Sequence, residues 1–282
     1  MVTKEPQLSK GDRRDAARAQ ALKLQQEQIR REKRTRNVII ASVLAGLLVV
    51  VGVGYAIIKS AGPTVSSGIT AFPDGLAIPS VSDAAGGISF GKSGEAGSTS
   101  GADAVRVDVY LDYMCPICGQ FEETNGADLD ALRASGDITM VVHPVSILDA
   151  QSKGSSFSTR AAQAFAYVSE KAPAQALAFN TAMFANQPAE ATTGLTNDEI
   201  AAIATSAGVP DDVAKGIATG TYNKFVEALT EIAFNNKKLL NESGGFGTPT
   251  ILINGEKVTS DWRQPGALTA EIKAAPGAAV AP

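Results

Sequence analysis

The chain of 282 residues has two cysteines, one histidine and one tryptophan. Two cysteines rule out a fold laced by disulfides. Together with a single histidine they cannot assemble the four-ligand Cys/His sets of structural zinc sites. Positive charge is also scarce over most of the length: residues 1–37 hold eleven Lys/Arg against five Asp/Glu, and the other 245 residues hold fourteen against twenty-four. With an acidic bulk and its basic residues gathered at one end, the chain is a poor candidate for nucleic-acid binding.

Charge of either sign is missing from the 21 residues Val38 to Ile58. At about 1.5 Å per residue, a helix of that length crosses a roughly 30 Å hydrocarbon core, so the pattern predicts one transmembrane span over 38–58, embedded in the lipid bilayer. Arg30, Arg31, Lys33, Arg34 and Arg36 precede it and only Lys59 follows closely. Excess Lys/Arg stays on the cytoplasmic side, which makes 1–37 a cytoplasmic basic tail and puts the bulk of the chain outside the cell membrane. A cleaved signal peptide has a shorter apolar core, about 7 to 15 residues, and a small-residue cleavage site. Ser60-Ala61-Gly62-Pro63 is a poor one, and no cysteine follows to accept a lipid. The span therefore reads as an uncleaved anchor.

From Lys59 to Gly101, 21 of 43 residues are Gly, Ser or Pro. That composition buries too little apolar surface to offset the entropy of ordering, and 59–101 reads as a tether. Within it, Gly87-Ile88-Ser89-Phe90-Gly91 is an apolar alternation able to add an edge strand.

Residues 102–275 are enough for one well-buried core. Val105, Val107, Val109 and Leu111 alternate with polar residues as a strand, Glu122 to Leu132 reads as a helix, and Ile138 to Val145 as a second strand. A helical stretch follows, about 155–243. Its signals are Ser158 ahead of an apolar-periodic run, Pro173 at a helix start, Thr196 to Glu199 in capping-box spacing, and a helix from about Thr221 to Leu240. The aromatics of this stretch, Phe157, Phe165, Tyr167, Phe179, Phe184, Phe225 and Phe234, read as core. Strand pattern returns at Thr250 to Ile253, with Asn254-Gly255 as a hairpin turn before Glu256 to Val258, then a short helix over Pro265 to Ala274. Pro276 to Pro282 reads as a disordered tail.

Cys115 and Cys118 stand two residues apart, after a strand and at a helix start. Such a pair can form a small-loop disulfide and exchange it with another protein. Unpaired backbone N–H groups and the helix dipole stabilise a thiolate at Cys115, while Cys118 lies one turn deeper. Cys115 is thus the expected attacking thiol and Cys118 the resolving one. Pro116 suits the first helical position because it has no N–H to leave unpaired.

Cys115-Pro116-Ile117-Cys118 after Val107 to Tyr113, the helical insertion, and Gly247-Thr248-Pro249-Thr250 before a strand-Asn-Gly-strand hairpin together resemble the membrane-anchored DsbA-like branch of the thioredoxin superfamily, over about Ala104 to Ala275. The resemblance implies an α/β thioredoxin fold with an inserted helical subdomain, preceded by a single transmembrane helix. It implies a cis Thr248–Pro249 bond beside the disulfide, with the Thr248 backbone pairing to an extended substrate segment. The implied activity is thiol-disulfide oxidoreduction, with the Cys115–Cys118 disulfide as redox centre and no other cofactor or metal. The implied partners are reduced exported proteins as substrates and a membrane quinone-linked reoxidant.

Three features depart from the most oxidising members of that branch. Ile117 stands where they carry His, Val109 replaces a buried acid six residues before the first cysteine, and Thr248 before the proline goes with isomerases. All three bear on redox potential, so donation of the disulfide is the leading expectation and reduction or isomerisation by the same fold stays open. A different class, Cu(I) held by Cys115, Cys118 and Met114 or His143, also stays open. A purely structural disulfide is disfavoured, because so small a loop constrains the unfolded chain little. Asp112, three residues before Cys115, reads as an acid at a strand end or a modulator of the cysteines, and His143 as a structural strand residue.

Overall fold

A computed structural model describes residues 68–277. The span expected at 38–58 and its basic tail lie outside the described residues, as do 59–67 and 278–282. Among the described residues no helix is long and apolar enough to cross a membrane.

The sheet grows from one strand-helix-strand unit. β2 (Val105–Leu111) runs parallel to β3 (Ile138–Pro144), joined by α1 (Pro116–Ser135). β4 (Thr250–Ile253) pairs antiparallel with β2 and turns at Asn254-Gly255 into β5 (Glu256–Lys257), while β1 (Ile88–Phe90) pairs antiparallel with β3. The order is β1-β3-β2-β4-β5, which leaves β2 central, with Val109 opposite Val142 on one side and Ile251 on the other. A central strand is covered on both faces. The polar set that alternation assigns to solvent is therefore buried too: Asp108 and Tyr110 are each 7% exposed.

α1 begins immediately after Cys115, six residues earlier than the apolar periodicity indicates. Pro116 at its first position supplies a preset backbone angle, and packing overrides the weak helix propensity of the Pro- and Gly-containing first turn. It ends at Gly136, whose φ of 94° is the left-handed region glycine enters freely.

Between β3 and β4 stand α2 (Phe157–Lys171), α3 (Ala176–Ala185), α4 (Asn197–Ser206), α5 (Asp211–Gly216) and α6 (Asn223–Asn235). Phe157, Phe165, Phe179 and Phe225 are fully buried there, and Thr196 and Glu199 form the capping box. Ser158 is not a cap: α2 starts one residue before it, and its hydroxyl turns inward. α6 is shorter at both ends than the periodicity of Thr221 to Leu240 suggests. α7 (Ala267–Ala274) closes the chain against α1.

The tether reading needs correction from Gly68 onward. Phe72 stacks on Phe225 at 5.4 Å, Asp83 pairs with Arg106 at 2.7 Å, the Glu170 carboxylate accepts the Ser80 N–H at 2.7 Å, and Ile88 and Phe90 are fully buried. Composition says only that such a segment cannot build a core of its own. Here a few apolar side chains dock onto a core the domain already provides, and β3 supplies the hydrogen-bonding edge. At the other end, the Pro276 carbonyl, expected in a disordered tail, accepts a hydrogen bond from Asn254 Nδ2 at 2.8 Å.

Candidate active site

The carboxyl end of β2 delivers a short turn, Asp112 to Cys115, into the start of α1. Cys115 is the N-cap, extended at φ −75° and ψ 113°, and its N–H donates to the Asp112 carbonyl at 3.0 Å. The Cys118 N–H closes the first helical turn onto the Cys115 carbonyl at 3.0 Å. Cys115 is 6% exposed and Cys118 1%. Pro116 is exposed, as is Ile117, so the two residues between the cysteines face outward. Both thiols are free.

The loop before β4 arrives opposite. The Thr248–Pro249 peptide bond is cis, and the Cys115 thiol donates to the Thr248 carbonyl at 3.4 Å. Sequence features 133 residues apart thus meet at one sulfur. The Thr248 hydroxyl is buried and has no hydrogen-bond partner among the described residues.

The two thiols are unequal. The hydrogen bond from Cys118, then the Thr248 side chain and the N–H groups of Cys118 and Ile117, outweigh burial and lower the Cys115 pKa to about 6. Burial, reinforced by the neighbouring Cys115, pushes Cys118 well above the usual thiol range. The thiolate therefore forms at Cys115, giving up the hydrogen bond to the Thr248 carbonyl, while Cys118 keeps its proton, which is the division of labour an exchanging pair requires.

Asp112 does more than finish a strand. It is completely buried, and its carboxylate accepts the Met114 N–H at 2.8 Å, the Leu148 N–H at 2.9 Å and the Ser158 hydroxyl at 2.7 Å. Burial nevertheless dominates these bonds and raises its pKa to about 7, with the nearby Cys115 adding to the rise. His143 is engaged elsewhere: its Nε2 lies 2.8 Å from Asp108 Oδ1 and its ring stacks on Tyr110 at 4.0 Å. Asp108 is held in turn by Arg106 at 2.6 Å. Among the described residues no group of three or more His, Cys, Asp or Glu side chains is arranged to hold a metal ion.

Two residues at the site have no signal in the local sequence. Tyr113 donates its hydroxyl to Asn180 at 2.8 Å, and Gln187 donates to the carbonyls of Tyr113 and Cys115. Both partners come from the helical insertion, and nothing in their own neighbourhoods marks them. Gln187, with Phe184 and Thr181, also walls a groove of about 960 Å³ that runs along α1 from Pro116 past Gly119 and Glu122.

The family model described as Thioredoxin matches residues 98–273, more than half of the chain. The chain belongs to the thioredoxin family. Among solved structures, reduced DsbG from Mycobacterium tuberculosis, a disulfide bond oxidoreductase, is 31% identical over 60% of this chain and 76% of that one, with a TM-score of 0.51. DsbA from the same organism is 28% identical over 66% of this chain and 90% of that one, at 0.55. MdbA of Actinomyces oris, 24% identical over 76% of this chain and all of that one, shares the fold at 0.56. A curated relative, the serine/threonine-protein kinase PknE of M. tuberculosis, is 28% identical over 149 residues, 51% of this chain, and the match spans about a quarter (26%) of that protein's length. The matched thioredoxin domain is DsbA-like, in line with neighbours that are thiol-disulfide oxidoreductases.

Proposed function

We propose that the protein is a single-pass membrane enzyme, amino terminus cytoplasmic and thioredoxin domain outside, that donates its Cys115–Cys118 disulfide to reduced exported proteins. A substrate thiolate attacks Cys115 Sγ, the Cys115–Cys118 bond breaks, and Cys118 leaves with the electron pair and takes up a proton. The second substrate thiolate then attacks the substrate sulfur of the mixed disulfide and releases Cys115 as a thiolate. Two electrons pass to the enzyme, and a membrane quinone-linked partner removes them.

The observation that carries this reading is the placement of Cys115 at the N-cap of α1 beside the buried Cys118, which lowers the Cys115 pKa to about 6 and pushes Cys118 up. A stable Cys115 thiolate is a good leaving group in the second step and stabilises the reduced enzyme, which is the property of a disulfide donor. Relative to an unperturbed thiol, a pKa of about 6 favours the reduced form about tenfold at neutral pH, roughly 30 mV. The proposed placement outside the membrane fits the same direction, since the exterior has no thiol pool to reduce the pair again. The charge-free run Val38 to Ile58, with five Lys/Arg just before it, supports the anchor and its orientation.

The test is the reduction potential of the full-length chain against glutathione buffers, joined to labelling of Cys115 in intact cells with a thiol reagent that does not cross membranes. A value of about −120 to −180 mV with labelling from outside is expected. A value of about −250 mV or below would make the enzyme a reductase.

A further inference from the structure

The turn that carries the cysteines is gripped from two sides. From within, the Asp112 carboxylate takes the Met114 N–H and ties it to Leu148 and Ser158. From the insertion, Gln187, two residues beyond α3, donates Nε2 to the Tyr113 carbonyl at 3.0 Å and to the Cys115 carbonyl at 2.9 Å. A carboxamide nitrogen has two hydrogens, and here each meets one of the two carbonyls that flank Met114. The other end of the same carboxamide lies on Gly119: a Cβ there would overlap Gln187 Oε1. Gly119 itself donates its N–H to the Cys115 carbonyl at 3.2 Å, the carbonyl that Gln187 holds. Glycine at 119 is what lets the carboxamide reach the first turn of α1.

We propose that Gln187 is a positioning residue for thiol-disulfide exchange: reaching from the helical insertion, it fixes the Tyr113–Met114 and Cys115–Pro116 peptide planes so that Cys115 Sγ stays at the start of α1 and opposite Thr248. The proposal rests on exchange by the Cys115–Cys118 pair and holds for either direction of electron flow. The N–H groups that stabilise the thiolate belong to residues 117 and 118, and such stabilisation falls away within the first helical turn. A turn free to rotate about Tyr113 and Cys115 carries the sulfur out of that field.

The experiment measures the pH dependence of Cys115 alkylation and the glutathione equilibrium of the full-length chain, with Gln187→Ala, Gln187→Glu, Gly119→Ala and the Gln187→Ala/Gly119→Ala pair. Gln187→Ala is expected to raise the alkylation midpoint by about one pH unit and to shift the equilibrium toward the protein disulfide several-fold, up to about tenfold, or roughly 30 mV. Gln187→Glu raises it further, because a carboxylate cannot donate and adds negative charge. Gly119→Ala displaces the carboxamide while improving helix propensity, so a matching shift in that variant is not lost stability. The double variant shifts no further than the larger single one, as expected for residues acting through one contact. Where Gln187→Ala does not fold, Gly119→Ala decides alone. Folded variants that titrate within about 0.3 unit of a wild type that exchanges normally overturn the proposal. A wild-type chain that fails to exchange with glutathione at all would instead remove the exchange reading beneath it.

Discussion

The Ser158 hydroxyl donates to Asp112 Oδ1 across 2.7 Å, joining the first turn of α2 to the residue that opens the active-site turn. Both are fully buried. The bond ties the inserted subdomain to the cysteines from within, as Gln187 does from the side. It also fixes a carboxyl group where ionisation is unfavourable.

Asp112 is raised to about 7 by burial, above the ordinary carboxylate value of the unfolded chain. A raised folded-state pKa favours the fold while the group is protonated. That contribution is complete below the unfolded pKa and is lost as pH rises from about 4 to about 7. Asp112→Asn cannot ionise. The stability difference between wild type and this variant, read by urea denaturation across that range, should therefore move in favour of the variant as pH rises. The substitution also removes a negative charge near Cys115, so the thiol midpoint should fall. A difference that stays constant with pH would show that Asp112 does not titrate there.

Alkylation of the reduced protein at Cys115 should rise with pH to a midpoint near 6, set by the Cys118 hydrogen bond and the first-turn N–H groups. Cys118→Ala removes the first of these, so its midpoint should move upward. Captured mixed disulfides should nevertheless form on Cys115 in Cys118→Ser and be absent from Cys115→Ser. Capture by Cys118 alone would reverse the assigned roles.

His143 and Asp108 form a buried pair on β3 and β2 whose Nε2 to Oδ1 distance is 2.8 Å. Replacing the histidine by Ala leaves Asp108 with Arg106 as its remaining ion-pair partner and empties the space under Tyr110. A loss of about 1.5 to 3 kcal/mol follows from the lost buried hydrogen bond to a charged group, with Asp108 still accepting from Arg106. Exchange kinetics should be unchanged, because His143 touches neither cysteine nor the Thr248 loop. A copper-binding role would instead show as lost Cu(I) affinity with stability intact.

The parts of the site that were legible in the sequence are those whose signal is local. Cys115 to Cys118 declares itself by spacing, Thr248-Pro249 by its place before an Asn-Gly hairpin, and β2 by its alternation. Gln187 and Asn180 could not be read, because their partners lie 72 and 67 residues away and neither hydrogen bond leaves a pattern in the chain. Asp112 was visible as a residue but not as a junction: its three donors come from Met114, Leu148 and Ser158, and only the first is local. The same distinction explains the segment before β2. Its composition shows that it cannot build a core of its own, but docking depends on a surface supplied by residues far along the chain.

That segment gives a sharp test, because a tether and a docked strand respond differently to the same substitution. Phe90 is fully buried and its ring lies 6.1 Å from that of Phe165 in α2, while Ile78, twelve residues earlier, is 38% exposed. If the stretch from Gly68 onward is part of the domain, Phe90→Ala creates a cavity in the core and costs about 3 to 5 kcal/mol. Ile78→Ala, at an exposed position, should stay within about 0.5 kcal/mol of wild type. Removing everything before Gly101 should cost more than Phe90→Ala alone, since it also strips the edge hydrogen bonds of β3 and the Asp83–Arg106 and Ser80–Glu170 contacts. Denaturant midpoints of the three variants decide the matter. Equal midpoints for Phe90→Ala and wild type would return residues 68–101 to the role of a spacer, and would make β1 dispensable to the domain that carries Cys115.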